Sequence, residues 1–129
     1  MLIRVQPDSP VPLGEQIAAC VRGAIAEGSV APGERLPPAR EVAASLNVNV
    51  HTVLRGYQRL RDEGLIELRR GRGALVTAAP GVARHARLTE SVHDLVTQAR
   101  ELGLTDEELI TLVRSGLDGS PAVAATPDR

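Results

Sequence analysis

These 129 residues predict a mainly α-helical chain with one small antiparallel β-hairpin. Three observations carry that prediction. Apolar residues recur at helical spacing in five separate stretches, and two of those stretches are parted by only a few residues around Asn47. An alternating segment turns back on itself across "RRGRG", residues 69–73. Two helices joined so closely and followed at once by a hairpin make a winged helix-turn-helix domain, expected over residues 1–79. A two-helix element is expected over 80–117, and an unpatterned, disordered tail over 118–129.

The elements follow in order. Leu2 to Val5 alternates and predicts a short strand. After the breaker-rich "PDSPVP", Leu13, Ile17, Val21, Ala24 and Ile25 mark a first helix of about four turns, stopped by Gly28. "VAPGERLPP" supplies a Pro-Gly turn and an extended piece at Arg35 and Leu36, kept out of helix by the prolines that follow. A short second helix starts near Pro38 and carries Val42, Ala43 and Leu46 on one side. Asn49 caps a third, with Val50, Val53, Tyr57 and Leu60 as its apolar stripe and Gly64 as its stop. Leu65–Leu68 and Ala74–Thr77 are the strands of the hairpin.

"AAPGVARH", residues 78–85, is expected to be a linker. From about Arg87 a fourth helix runs through Leu88, Val92, Leu95, Val96, Ala99 and Leu102 to Gly103. Thr105 and Glu108 form a T-x-x-E capping box at the head of a fifth, which carries Leu109, Leu112, Val113 and Leu117. These two stripes hold more apolar surface than one small domain covers, so a homodimer is expected to bury them. The rival arrangement docks both helices on their own domain.

Composition narrows the function. With no Trp or Phe and a single Tyr, the core must be aliphatic. The net charge of −1 hides an uneven distribution. From Glu34 to Gly73 eight arginines face five carboxylates, and from Ala74 onward five arginines face eight. Every basic side chain is Arg; Arg makes bidentate contacts with phosphate and guanine, though a GC-rich genome also explains the missing Lys. Cys20 stands alone in a helical pattern, so no disulfide framework or cysteine metal cluster is expected. His85 and His93, eight apart with no acidic or cysteine partners, are expected to be surface residues, and no metal or cofactor is expected. No apolar run approaches a membrane span and no signal peptide opens the chain, which predicts a cytoplasmic protein without a membrane partner.

The third helix has the richest outer face. At about 100° per residue, Val50, Val53, Tyr57 and Leu60 share one side, while His51, Thr52, Arg55, Gln58 and Arg59 share the other. Groove-reading helices present their amino-terminal residues to base edges, so Asn49, His51, Thr52 and Arg55 are candidates for base or phosphate contact. Arg59, two turns in, is placed at the DNA backbone. A charged outer face alone is what any solvated helix shows. Arg40 at the start of the second helix and Arg69, Arg70 and Arg72 around Gly71 and Gly73 add basic groups on neighbouring elements, and the glycines permit close backbone approach to a phosphate. Double-stranded DNA is therefore the expected partner. A winged helix used for protein contact is the alternative. An enzyme is not expected: the chain has no nucleophile with a nearby base, no phosphate loop and no nicotinamide fingerprint.

The segment Gly28 to Val76, with its landmarks "PGERLP", "REVA", "NVNVHTV", "LRDEGLI" and "GRGALV" in order, resembles the DNA-binding domain of the GntR family of bacterial transcription regulators. "PLGEQI" fits that family's first helix. The short region after the hairpin is similar to the YtrA-type subfamily, whose members are dimers through their C-terminal helices and often repress operons that include ABC transporters. The resemblance implies a sequence-specific repressor on an inverted-repeat operator. It carries over Arg40 to a phosphate, Asn49, His51 and Thr52 to the start of the recognition helix, and Gly71 with Arg70 and Arg72 to the wing. Departures are equally specific. Val50 and Leu54 stand where many members have arginines, Pro38 and Ala39 replace capping hydroxyl residues, and Gly14 replaces a frequent aromatic. A small-molecule effector is compatible with a cavity between the helix pairs, but no residue set identifies one.

Overall fold

The structure, a computed structural model, describes residues 1–119. Five helices and a two-stranded antiparallel sheet follow one another along the chain: α1 (Leu13–Glu27), α2 (Ala39–Leu46), α3 (Val50–Asp62), β1 (Ile66–Arg69), β2 (Gly73–Val76), α4 (Pro80–Glu101) and α5 (Asp106–Leu117). The chain forms two compact units, Met1–Thr89 and Glu90 onward. The unpatterned tail expected over 118–129 lies outside the described residues from 120 on, and its first two residues form a turn.

The first unit closes over an aliphatic core, as the absence of Phe and Trp requires. Ile17, Val21 and Ile25 of α1, Val53 and Leu60 of α3, and Leu65, Ile66 and Val76 of the hairpin are buried together with Leu36 and Val42. Helices α1 and α3 meet at two glycines. A Cβ on Gly56 would stand 2.7 Å from the Gly14 carbonyl oxygen, and one on Gly14 would stand 3.2 Å from the Thr52 carbonyl oxygen. The helices therefore approach too closely for a side chain at Gly56, while one at Gly14 would need the Thr52 carbonyl to give by a few tenths of an ångström.

A buried ion pair fixes the same junction. Arg22 is only 4% exposed; its Nε donates to Glu63 Oε1 at 2.9 Å and its Nη2 to Glu63 Oε2 at 2.8 Å. This fork geometry satisfies both carboxylate oxygens of the residue that ends α3. Tyr57, the one aromatic residue, is buried, and its hydroxyl donates to the Pro37 carbonyl at 2.7 Å, holding α3 to the strand-like segment ahead of α2. Burial pushes its phenol up to about 12.

The extended piece at Arg35 and Leu36 pairs with the hairpin: Leu36 N donates to the Ala74 carbonyl, Val76 N to that of Glu34, and Arg35 bridges Leu75. Two expectations are corrected here. Leu2 to Val5 is not a strand, because no partner strand lies beside it; Ile3 and Val5 instead pack on the core as irregular chain. Residues 80–85 are not linker but the first turns of α4. Pro80 is tolerated at a helix start, where its missing N–H is not needed. Ala83 is fully buried, Arg84 Nε donates to the Ala26 carbonyl, and Arg87 Nη2 donates to that of Gly23, so small residues and arginine stems seat this part of α4 on the first unit.

In the second unit, Thr105 Oγ1 accepts from Glu108 N at 3.1 Å while Glu108 Oε1 accepts from Thr105 N at 2.8 Å, which completes the expected capping box. Three acids in the first turn of α5 complement the helix dipole.

Candidate nucleic-acid interface

The turn between α2 and α3 occupies only Asn47 to Asn49. Asn47 ends α2 in the left-handed conformation at φ 56°, which asparagine tolerates better than most residues. Asn49 then begins α3, its Oδ1 accepting from His51 N at 2.8 Å. The cap thus fixes the amino-terminal turn of α3 and leaves the Asn49 amide nitrogen as a donor. Helix α2 starts without such a cap: Pro38 and Ala39 supply no hydroxyl, and no side chain bonds to the first amides. Those amides remain at the exposed start of α2, beside Arg40.

His51 and Arg55 are exposed on α3, and Thr52 is half-buried on the side that meets Gly14. The hairpin aligns Ile66 with Val76 and closes at Arg69 opposite Gly73. Its tip is Arg70–Gly71–Arg72, with Arg72 N donating to the Arg69 carbonyl at 3.0 Å. Gly71 and Gly73 have φ of 77° and 76°, so this tight tip needs glycine for its backbone path, and the space beside both is open.

The arginines differ in their partners. Arg22, Arg59, Arg61, Arg69, Arg87 and Arg100 each form an ion pair. Arg40, Arg55, Arg70 and Arg72 are exposed and form none among the described residues. These four sit on α2, α3 and the tip of the hairpin; Arg4, Arg35, Arg84 and Arg114, elsewhere in the chain, are also exposed without an ion pair among the described residues, Arg84 donating to the Ala26 carbonyl. One cleft of about 430 Å³ joins these three elements, lined by Pro38 and Ala39 from the start of α2, Leu54 of α3 and Leu68 and Arg70 of the hairpin. Arg40 and Arg55 directly follow two of those lining residues in the chain.

Arg59 does not join that set. Its Nε donates to Glu63 Oε2 at 3.1 Å, and its Nη1 lies 3.7 Å from Glu15 Oε2 on α1. The side chain expected at a DNA backbone is held by two carboxylates of its own fold. Arg22 is a structural contributor that the sequence concealed, since its partner Glu63 lies 41 residues away.

The apolar residues expected to form a subunit contact fall into two groups. Leu88, Val92, Leu95, Leu102, Leu112 and Val113 are exposed, with Leu102 at 78%; Val96 and Leu109 are half-buried. Ala99 is already buried within the single chain. Among the described residues no group of three or more His, Cys, Asp or Glu side chains is placed to hold a metal ion, and no helix is long and apolar enough to cross a membrane.

A capped helix following a short turn, a glycine-tipped hairpin and unpaired arginines on both define a winged-helix protein with a cationic reading surface. Comparison with known proteins agrees. Residues 13–76 match the family model of bacterial regulatory proteins, gntR family. The HTH-type transcriptional regulator YhcF of Bacillus subtilis (strain 168) is 32% identical over 117 residues, covering 88% of this chain and 97% of that protein. The HTH-type transcriptional repressor YtrA of the same organism is 32% identical over 112 residues, covering 84% of this chain and 86% of its own. Among solved structures, YtrA from Sulfolobus acidocaldarius, a GntR-family transcription factor, superposes with a TM-score of 0.58 at 33% identity, over 74% of this chain and 99% of that one. The chain belongs to the gntR family of bacterial regulatory proteins, and it is a DNA-binding transcriptional regulator.

Proposed function

We propose that the protein is a repressor that binds an inverted-repeat operator as a homodimer, through Arg40, Asn49, His51, Thr52, Arg55, Arg70, Gly71 and Arg72. The observation that carries this reading is the collection of four exposed arginines without an ion pair on three elements, α2, α3 and the wing tip, that share one cleft. Exposed guanidinium groups with no internal partner are available to phosphates and to guanine edges. The glycine tip lets the wing backbone approach a phosphate or a minor groove. Repression is supported by the relative named as a repressor at 32% identity. Arg59 is assigned to holding α1 against α3 and not to the DNA.

Dimerisation is supported by the exposed stripe on α4 and α5, where Leu88, Val92, Leu102 and Leu112 are each more than half exposed among the described residues. Two copies would present two α3 helices to successive major grooves, which makes the operator an inverted repeat. Sedimentation equilibrium of the full chain should give twice the chain mass, and Leu112→Asp should give the chain mass while the circular dichroism of the helices persists. In a gel shift, the wild type should retain a duplex of its own promoter region and Leu112→Asp should release it at the same concentration. A full chain that sediments as a monomer and still binds with full affinity would remove the dimer from the account.

A further inference from the structure

Two large apolar side chains stand open beside the arginines of the reading surface. Leu54 of α3 and Leu68 of β1 are each 37% exposed, and both line the 430 Å³ cleft with Pro37, Pro38, Ala39 and Ala74. Neither belongs to the buried core cluster or packs against it as a partly buried neighbour. Exposed leucines on a small domain ordinarily lie scattered, but these two share one concave surface. Its surroundings are cationic: Arg70 is part of the lining, and Arg40 and Arg55 directly follow Ala39 and Leu54 in the chain.

An apolar surface edged by unpaired cations fits an occupant with an anionic frame and an apolar projection. Duplex DNA offers both. Its phosphates match the arginines, and a base edge in the major groove presents one apolar group, the 5-methyl of thymine. Leu54 lies in the second turn of α3, immediately before Arg55, so a base edge met by α3 passes its side chain. We infer that Leu54 is a specificity-determining residue that selects thymine by packing on its 5-methyl group. This rests on the reading of α3 as the recognition helix. The preference is for one methyl group over a hydrogen, since uracil and thymine have the same hydrogen-bonding edge. Burying one methyl group corresponds to about a three- to fivefold change in affinity.

The test removes that methyl without altering base pairing. The full-length protein is used to select a tight-binding duplex from a random pool, and each thymine of the selected duplex is replaced singly by deoxyuridine. At one thymine per half-site the wild type should bind the uracil duplex about three- to fivefold more weakly. Leu54→Ala should bind the two duplexes equally at that position, and Leu54→Met should keep part of the discrimination. Both substitutions are at an exposed position, and unchanged thermal unfolding would show that the fold is intact. A wild type indifferent to uracil at every position overturns the inference, as does a Leu54→Ala protein that discriminates as well as the wild type. Retention of no duplex from the pool would overturn the recognition-helix reading itself, an outcome distinct from binding without methyl discrimination.

Discussion

At the junction of α1 and α3, arginines meet carboxylates. Arg22 lies buried with two nitrogens on Glu63, and Arg59 reaches Glu63 and Glu15. Across α2, the outer side of α3 and the wing tip, Arg40, Arg55, Arg70 and Arg72 stand exposed without an ion pair among the described residues. The same residue type thus does opposite work in two regions. Where a carboxylate is in reach, arginine contributes to the fold. Where none is, on α2, α3 and the wing tip, like charges accumulate, which the fold does not need and a polyanion does. Substitutions in the first region should therefore register as stability, and those in the second as affinity.

The largest expected effect is at the buried pair. Arg22→Ala removes two charge-assisted hydrogen bonds from Glu63, leaving it with Arg59 alone, and should lower stability by about 3 kcal/mol. Urea unfolding measures it, and a loss under 1 kcal/mol, roughly the worth of a surface pair, would erase the contrast between the two regions. A smaller effect is expected at Arg55, where alanine should weaken operator binding by about 1–3 kcal/mol with the unfolding midpoint unchanged. A gel-shift titration beside a thermal melt separates those quantities.

Smaller still is Tyr57→Phe, which leaves the Pro37 carbonyl without its donor and should cost about 1 kcal/mol. Its pH dependence has a definite sign. The folded phenol is pushed up to about 12 from an ordinary 10, so its contribution is fully present below pH 10 and is lost as pH rises from 10 through 12. Wild-type stability should fall across that window more steeply than that of Tyr57→Phe. Equal slopes would show that the hydroxyl is not buried as described.

The parts legible in the sequence were those written in local pattern. The helical period gave α1 to α3, Asn49 and Thr105 marked the caps of α3 and α5, and the glycines of "RRGRG" placed the hairpin within a residue or two. The start of α4 was not legible, because Pro80 and Gly81 signal a break, and the residues that seat the helix, Ala83 and Ala86, are too small to make a strong apolar stripe. The alternation of Leu2 to Val5 has no strand to pair with, and alternation alone does not make a sheet.

The candidate interface was legible as residue types on one helix face and one turn. Its internal competition was not. Arg59 shares the outer side of α3 with Arg55, but Glu63 one turn on and Glu15 on another helix claim it. Contacts across such sequence distances, like that of Arg22 with Glu63, come from packing and leave no local trace. The cleft that holds Leu54 and Leu68 likewise exists only once the hairpin lies beside α3.

The central claim is that the unpaired arginines of α2, α3 and the wing tip contact DNA and the paired ones do not. The salt dependence of binding tests it most directly, because each phosphate contact contributes its own share of the slope of log affinity against log salt. With the full-length protein and its promoter duplex, Arg40→Ala should reduce that slope by about 1, and Arg87→Ala, whose guanidinium faces Glu27, should leave it unchanged. Equal slopes for wild type, Arg40→Ala and Arg87→Ala would contradict the assignment of this surface to DNA.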